Sequence, residues 1–169
     1  MKKSLIIAGK YIQDVEFIYP YYRLKEAGFE VVSASEDGQE TFGVNGVKIP
    51  VDASFDNIKT AEFQILIIPG GARAMEYIRQ NKHVLQIIGE FDAAGKTIGC
   101  ICHGTQLLIS AKVVNGRNIS GYYSIKDDIE NAGATYVDAP FVVDKNIITS
   151  PHYKYMGEWM GEIMKHVAK

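Results

Sequence analysis

The sequence predicts an α/β fold, a mostly parallel sheet sandwiched by helices. Short apolar runs of strand length alternate with stretches of helical periodicity. The runs are continuous rather than alternating, as in strands buried on both faces, and Gly and Pro turn residues punctuate them. Residues 5–8 read as the first buried strand. Val15, Ile18, Tyr19, Tyr22 and Ala27 then recur at helical spacing until Gly28 stops the helix. Residues 29–34 form a second strand. Between Glu36 and Phe63 the signals weaken, and Gly38, Gly43, Gly46 and Pro50 suggest short antiparallel strands or a hairpin excursion. Ile65-Leu66-Ile67-Ile68 is a strand stopped by Pro69-Gly70-Gly71. A helix over about 82–94 leads through Gly95 into a strand at 97–101, and 106–111 is helical again. Within 135–149, Phe141-Val142-Val143, a turn at Asp144-Lys145-Asn146, and Ile147-Ile148-Thr149 predict two paired edge strands. The tail from 153 to 168 is an amphipathic helix with Met156, Trp159, Met160, Ile163 and Val167 on one stripe.

At 169 residues the chain is expected to be one domain, residues 1–169, large enough to bury ~70% of the surface it exposes unfolded. Its 47% apolar and 22% charged residues exclude a disordered, collagen-like or repeat-dominated chain. A net charge of −2, with Lys and Arg scattered, gives no footprint for nucleic acid or an anionic membrane, so neither partner is expected. The apolar run near the start is too short for a signal peptide core, and no segment approaches 18 uninterrupted apolar residues. A cytoplasmic location is the expectation. The two cysteines, Cys100 and Cys102, lie one residue apart at a strand end and are poorly placed for a disulfide.

Gly99-Cys100-Ile101-Cys102-His103-Gly104-Thr105-Gln106 carries the chemistry. A strand meeting a helix through a tight turn with Cys102 at its apex resembles a nucleophile elbow, in which a strained turn lifts the nucleophile above the sheet. The thiol then faces the crevice at the strand carboxyl ends, and the adjoining helix N-terminus is expected to lower its pKa and leave it ionised at physiological pH. The bland alternative is a small buried hydrophobe.

The string from Cys102 to Ala111, Cys-His-Gly-Thr-Gln-Leu-Leu-Ile-Ser-Ala, closely resembles the elbow of the ThiJ/PfpI superfamily. So do Asp14-Val15-Glu16-Phe17-Ile18-Tyr19-Pro20, the Pro69-Gly70-Gly71 turn, Tyr122-Tyr123-Ser124-Ile125-Lys126-Asp127-Asp128 and Asn131-Ala132-Gly133, in order over nearly the whole chain. The PfpI-type intracellular protease/amidase branch is the best match. The resemblance implies a flavodoxin-like three-layer sandwich of the class I glutamine amidotransferase type, no cofactor and a homo-oligomer, dimer or hexamer. Activities across the superfamily include peptidase, glyoxalase III, deglycase, chaperone and isonitrile hydratase, so the fold does not choose among them.

Residue by residue, the resemblance places Glu16 beside the thiol. A carboxyl pressed against a thiolate in a partly dry site should stay protonated at neutral pH, donating to sulfur or shuttling a proton; the alternative is a surface carboxylate at a helix start. His103 becomes a base only if the elbow bends both side chains into one pocket, with a neighbouring subunit's glutamate orienting the ring. Glu76 matches that glutamate here, although the loop before it is one residue longer than the usual form. Gly70 and Gly71 would aim backbone N–H groups at an oxyanion, with the His103 N–H as a second donor, or simply form the turn, and Tyr122 would hydrogen-bond a substrate oxygen or simply pack. Thr105 replaces the usual proline, Gln13 and Asp14 stand where acidic pairs are common, and Ser150 to Tyr155 rewrite the pocket rim.

Other chemistries fail on spacing. Before Gly95-Lys96-Thr97 the preceding glycine is Gly89, separated from Gly95 by five residues rather than the four of a phosphate loop, and a strand rather than a helix follows. Cys100, Cys102 and His103 have no second ligand pair for zinc, so no metal is implied. Two classes of function stay open. One is a cysteine-dependent enzyme acting on a small carbonyl compound or a peptide, with the glyoxalase III or deglycase type ranked above the peptidase; the other is a redox-sensing or chaperone-like stress protein whose Cys102 oxidises. Phe17, Tyr19, Tyr21 and Tyr22 on the first helix offer an interface or belong to the core.

Overall fold

A computed structural model describes residues 2–168. In chain order the elements are β1 (Lys3–Ile7), α1 (Asp14–Glu26), β2 (Glu30–Ser35), β3 (Thr41–Phe42), β4 (Lys48–Ile49), β5 (Ala53–Ser54) and β6 (Ile65–Ile68). They continue with α2 (Ala72–Ile78), α3 (Lys82–Ala93), β7 (Thr97–Ile101), α4 (Thr105–Ser110), β8 (Asn118–Ile119) and α5 (Lys126–Asn131). The chain closes with β9 (Thr135–Tyr136), β10 (Val142–Asp144), β11 (Ile147–Ser150) and α6 (Met156–Val167). The main sheet has seven strands in the order β10-β11-β7-β6-β1-β2-β5, and every pair is parallel except β10 with β11.

The continuous apolar runs become interior strands because helices cover both faces. Every residue of β6, β7 and β11 is buried. The α3 helix lays Val84, Ile87, Ile88 and Phe91 into the core, and the Asn81 side chain caps its start by accepting from the His83 and Val84 N–H groups. On α6, Trp159, Met160 and Ile163 are buried, and the indole Nε1 donates to the Ile148 carbonyl at 3.0 Å, so its one polar atom is satisfied. Burying one such aromatic side chain stabilises by roughly 2–3 kcal/mol.

One expectation is corrected and another extended. The strands of 135–149 do pair as an antiparallel hairpin, but only β10 is an edge; β11 inserts between β10 and β7 and is buried throughout. Its short, wholly apolar start was the available signal, because an edge strand rarely hides every side chain. Tyr136 lies outside the main sheet, in β9, which pairs parallel with β8. The region from 36 to 63 does contain a hairpin, β3 with β4, and then returns β5 to the main sheet as an edge strand beside β2. Asp14 anchors that hairpin: its buried carboxylate accepts from the N–H groups of Asn45, at 2.8 Å, and Val47, at 3.0 Å.

Strand order decides where the site lies. From β1 the chain proceeds to β2 on one side and afterwards to β6 and β7 on the other, so the crossover helices diverge at the β1–β6 boundary and leave a crevice at the strand carboxyl ends. The segments leaving β1, β6 and β7 all end there. No described helix is long and apolar enough to cross a membrane.

Candidate active site

Three strand exits build the site. After β1, the first turn of α1 turns Glu16 inward to full burial. After β6, Gly70 and Gly71 approach it. After β7, Cys102 sits at the elbow with φ +59°, a left-handed conformation that costs a non-glycine residue roughly 1–3 kcal/mol. That strain persists because β7 is locked between β6 and β11 on one side of the turn and α4 follows on the other.

The glycines make the close approach possible. A Cβ on Gly70 would lie 2.7 Å from Glu16 Oε2 and 2.9 Å from both the Cys102 Cβ and the His103 nitrogen. Gly71 has φ +109°, and its Cβ would meet the Tyr11 carbonyl oxygen at 2.7 Å. The Gly70 N–H is engaged: it donates to Glu16 Oε2 at 2.7 Å, so it positions the carboxyl instead of an oxyanion. The two donors that bear on the sulfur are the N–H groups of His103 and Gly71.

Glu16 Oε1 is buried without a hydrogen-bond partner among the described residues, and the one side chain that bears on the carboxyl proton is the Cys102 thiol. Burial pushes the Glu16 pKa up to about 7, against the opposing pull of the Gly70 N–H and then the thiol. The thiol departs from the sequence expectation. Burial first, and the Glu16 charge second, push its pKa up. The helix dipole does not reverse this, because α4 has only six residues while Cys102 is 8% exposed. Cys102 therefore needs a partner to take its proton.

His103 is placed for that. Its Nδ1 lies 3.4 Å from Cys102 Sγ, and its Nε2 lies 3.5 Å from Ser124 Oγ. The strained elbow turns the two consecutive side chains into one pocket, and burial lowers the imidazole pKa, which leaves the ring neutral and able to accept a proton. Tyr122 stacks on His103, with centroids 4.6 Å apart and an interplanar angle of 29°. The pocket, about 270 Å³, is lined by Glu16, Cys102, His103, Gly71, Tyr122 and His152, among others. Cys100, two residues back, is fully buried with its sulfur 3.8 Å from Thr105 Oγ1. Glu76 is exposed on α2 and is not part of the lining.

Several site residues carried weaker sequence signals. Thr105 stood out only as a departure from a motif, yet its buried hydroxyl donates to the Ser120 carbonyl at 3.1 Å. The Tyr122 N–H then donates to the Cys102 carbonyl at 3.3 Å, so the 120–122 loop is tied to the elbow at two points. Gln13 and Ala72 complete the mouth, and His152 and Tyr153 reach it from the rewritten rim. Among the described residues, no group of three or more His, Cys, Asp or Glu side chains is arranged to hold a metal ion.

Residues 2–166 match the model of the DJ-1/PfpI family. The chain belongs to that family. Deglycase PfpI of Pyrococcus furiosus is 42% identical over 163 residues, 96% of this chain and 98% of that relative. General stress protein 18 of Bacillus subtilis is 39% identical over 152 residues, 88% of each chain. A crystal structure of a two-domain protein from Anabaena variabilis, with DJ-1/ThiJ/PfpI-like and ferritin-like domains, has a TM-score of 0.96 at 32% identity; it covers 99% of this chain and 48% of that one. The flavodoxin-like sandwich of the family is thus the fold of this DJ-1/PfpI member.

Proposed function

We propose that this protein is a cysteine-dependent enzyme acting on small carbonyl compounds, of the glyoxalase III or deglycase type. The observation that carries the reading is the buried Glu16 carboxyl, one oxygen held by Gly70 and the other unpartnered, packed beside a strained Cys102 whose neighbour His103 can take its proton. Family relatives named as deglycases support the same class. Catalysis begins as Cys102 Sγ attacks the aldehyde carbon and its proton passes to His103. The carbonyl oxygen gathers charge beside the Gly71 and His103 N–H groups and takes the proton held by Glu16, giving a hemithioacetal. Glu16, then ionised, removes the proton from the former aldehyde carbon and returns it to the adjacent carbon, while the proton of the new hydroxyl passes to the former ketone oxygen, giving a thioester of the α-hydroxy acid. Water cleaves the C–S bond and releases an α-hydroxy acid, with no net oxidation. With a hemiaminal as substrate, Cys102 Sγ forms the C–S bond as the C–N bond breaks, the amine leaves with the proton taken up by His103, and the same hemithioacetal results.

Purified protein should convert methylglyoxal to lactate, and Cys102→Ala and Glu16→Gln should each abolish it. Wild-type rates in either variant would refute the mechanism. A second reading, a redox-sensing or chaperone-like stress role, is favoured by the unpartnered Glu16 Oε1, which could donate to an oxygen of oxidised Cys102, and by the stress-protein relative. A mass gain of about 32 Da after mild peroxide, without methylglyoxal turnover, would select it. We also propose a homo-oligomer formed with a second copy through α1, where Val15, Tyr19 and Tyr22 are 43%, 39% and 64% exposed around an apolar groove shared with Met156. Light scattering on Tyr22→Asp, expected to lose the assembly, tests it.

A further inference from the structure

Beside the thiol pocket lies a second pocket, of about 260 Å³, that shares Tyr122 and His152 with it as a common wall. Its remaining walls include Tyr123, Tyr136 and Tyr155. Four tyrosines converge on one small cavity, and Tyr123 is 72% exposed, far more than core packing requires. The rings are held. Tyr136 donates its hydroxyl to the Gly121 carbonyl at 3.4 Å, while Tyr122 is flanked by His103 at 4.6 Å and His152 at 6.1 Å. A molecule as small as methylglyoxal leaves all of this surface unused.

The wall chemistry selects the guest. Lys154 Nζ already sits 4.8 Å from the Tyr155 ring centroid, and Lys126 Nζ 5.9 Å from that of Tyr136. A cationic guest would have to displace the protein's own ammonium groups from those faces. Asp138 and Lys154 on the lining balance in charge, so nothing demands an ion. An uncharged flat ring meets neither penalty and can stack against tyrosine in offset or edge-on geometry.

We propose that this tyrosine-walled cavity is a second substrate subsite that takes an uncharged aromatic ring attached to the carbonyl reacting at Cys102. The inference rests on the carbonyl chemistry proposed above and deepens it: the preferred substrates are aromatic α-ketoaldehydes. Phenylglyoxal would place its aldehyde at the thiol and its ring across the shared Tyr122–His152 wall. Its hydration to mandelate is balanced by one water, as for methylglyoxal.

The test compares kcat/KM for methylglyoxal, phenylglyoxal and cyclohexylglyoxal, the last matching the size of phenyl without its flatness. The ratio of phenylglyoxal to methylglyoxal should fall about tenfold in Tyr155→Leu, stay within twofold of wild type in Tyr155→Phe, and the cyclohexylglyoxal ratio should move in neither. Comparing ratios between variants cancels the reagents' intrinsic reactivities. A phenylglyoxal ratio that changes less than twofold in Tyr155→Leu, or a cyclohexylglyoxal ratio that falls equally, overturns the subsite. Absence of methylglyoxal turnover in the wild type would instead sink the parent reading. Binding of acetophenone, followed by NMR shifts of the tyrosine rings, then decides the subsite without catalysis: shifts that vanish in Tyr155→Leu support it, and no shift in the wild type overturns it.

Discussion

The floor of the site and its wall are built in opposite ways. The floor comprises Glu16, Gly70, Gly71, Cys102 and His103, each following directly on a strand or in the first turn of a helix within the buried sheet. The wall gathers Tyr136 from the two-residue strand β9 and Tyr122, Tyr123, His152 and Tyr155 from the short turns that precede α5 and α6, all outside the main sheet. On the floor, a Cβ added at Gly70 or Gly71 would meet neighbouring atoms at 2.7 Å; on the wall, Tyr123 is 72% exposed. Under the proposed reading, chemistry and substrate choice are separable: the groups proposed to react lie at the exits of the buried sheet, and the proposed subsite lies among surface segments, where variation is cheap.

The largest effect that would break this contrast is at the nucleophile. Cys102→Ala should lower methylglyoxal turnover by at least about 10³-fold in a lactate assay, whereas Cys100→Ala, two residues away with its sulfur sealed against Thr105, should retain it. Equal losses would mean that the floor is structural. Next comes Glu16→Gln, with a loss of roughly 10²–10⁴-fold for a proton-transfer group. It carries a second readout. The folded pKa of Glu16, about 7, lies above its usual 4.5, so the folded state holds the extra proton between those values. Stability should therefore fall by about 3 kcal/mol as pH rises through that window, and Glu16→Gln should flatten the denaturant-midpoint profile.

Smaller effects sharpen the comparison. Gly70→Ala forces a Cβ onto Glu16 and Cys102 and should cost about 1–3 kcal/mol in urea unfolding, with most of the activity lost at the same time. Thr105→Val leaves the Ser120 carbonyl without its donor and should cost about 1–3 kcal/mol, with Thr105→Ser restoring most of it. On the wall, Lys154→Ala, at an exposed side chain, should change thermal stability by less than about 0.5 kcal/mol.

Much of the floor was legible in the chain. The apolar runs at 65–68 and 97–101, each ending in a tight turn, located the sheet and the elbow, and the resemblance at Glu16 and Cys102 named the acid and the thiol. What could not be read was competition between neighbours. The Gly70 N–H is turned to Glu16 because that carboxyl arrives from a different strand exit, 54 residues away in sequence. The thiol is pushed up, against the helix-dipole expectation, because desolvation depends on everything that packs around it. His103 and Cys102 share a pocket only because the elbow takes φ +59°. The wall was less legible still: the resemblance pointed to Tyr122, but Tyr122, Tyr136 and Tyr155 carry no common pattern and meet only through the tertiary path of short elements outside the main sheet.

The order of strands and helices along the chain and the tight turn at the elbow were determined by the sequence alone, because hydrophobic period and turn chemistry are local properties; Cys102 became a candidate from its place at that turn, and Glu16 and His103 from the family resemblance. Which N–H faces which oxygen, how strongly burial holds protons on Glu16 and Cys102, and which tyrosines enclose the second cavity were decided by the tertiary structure. Those quantities depend on distances and solvent exclusion between segments far apart in the chain, and only packing sets them.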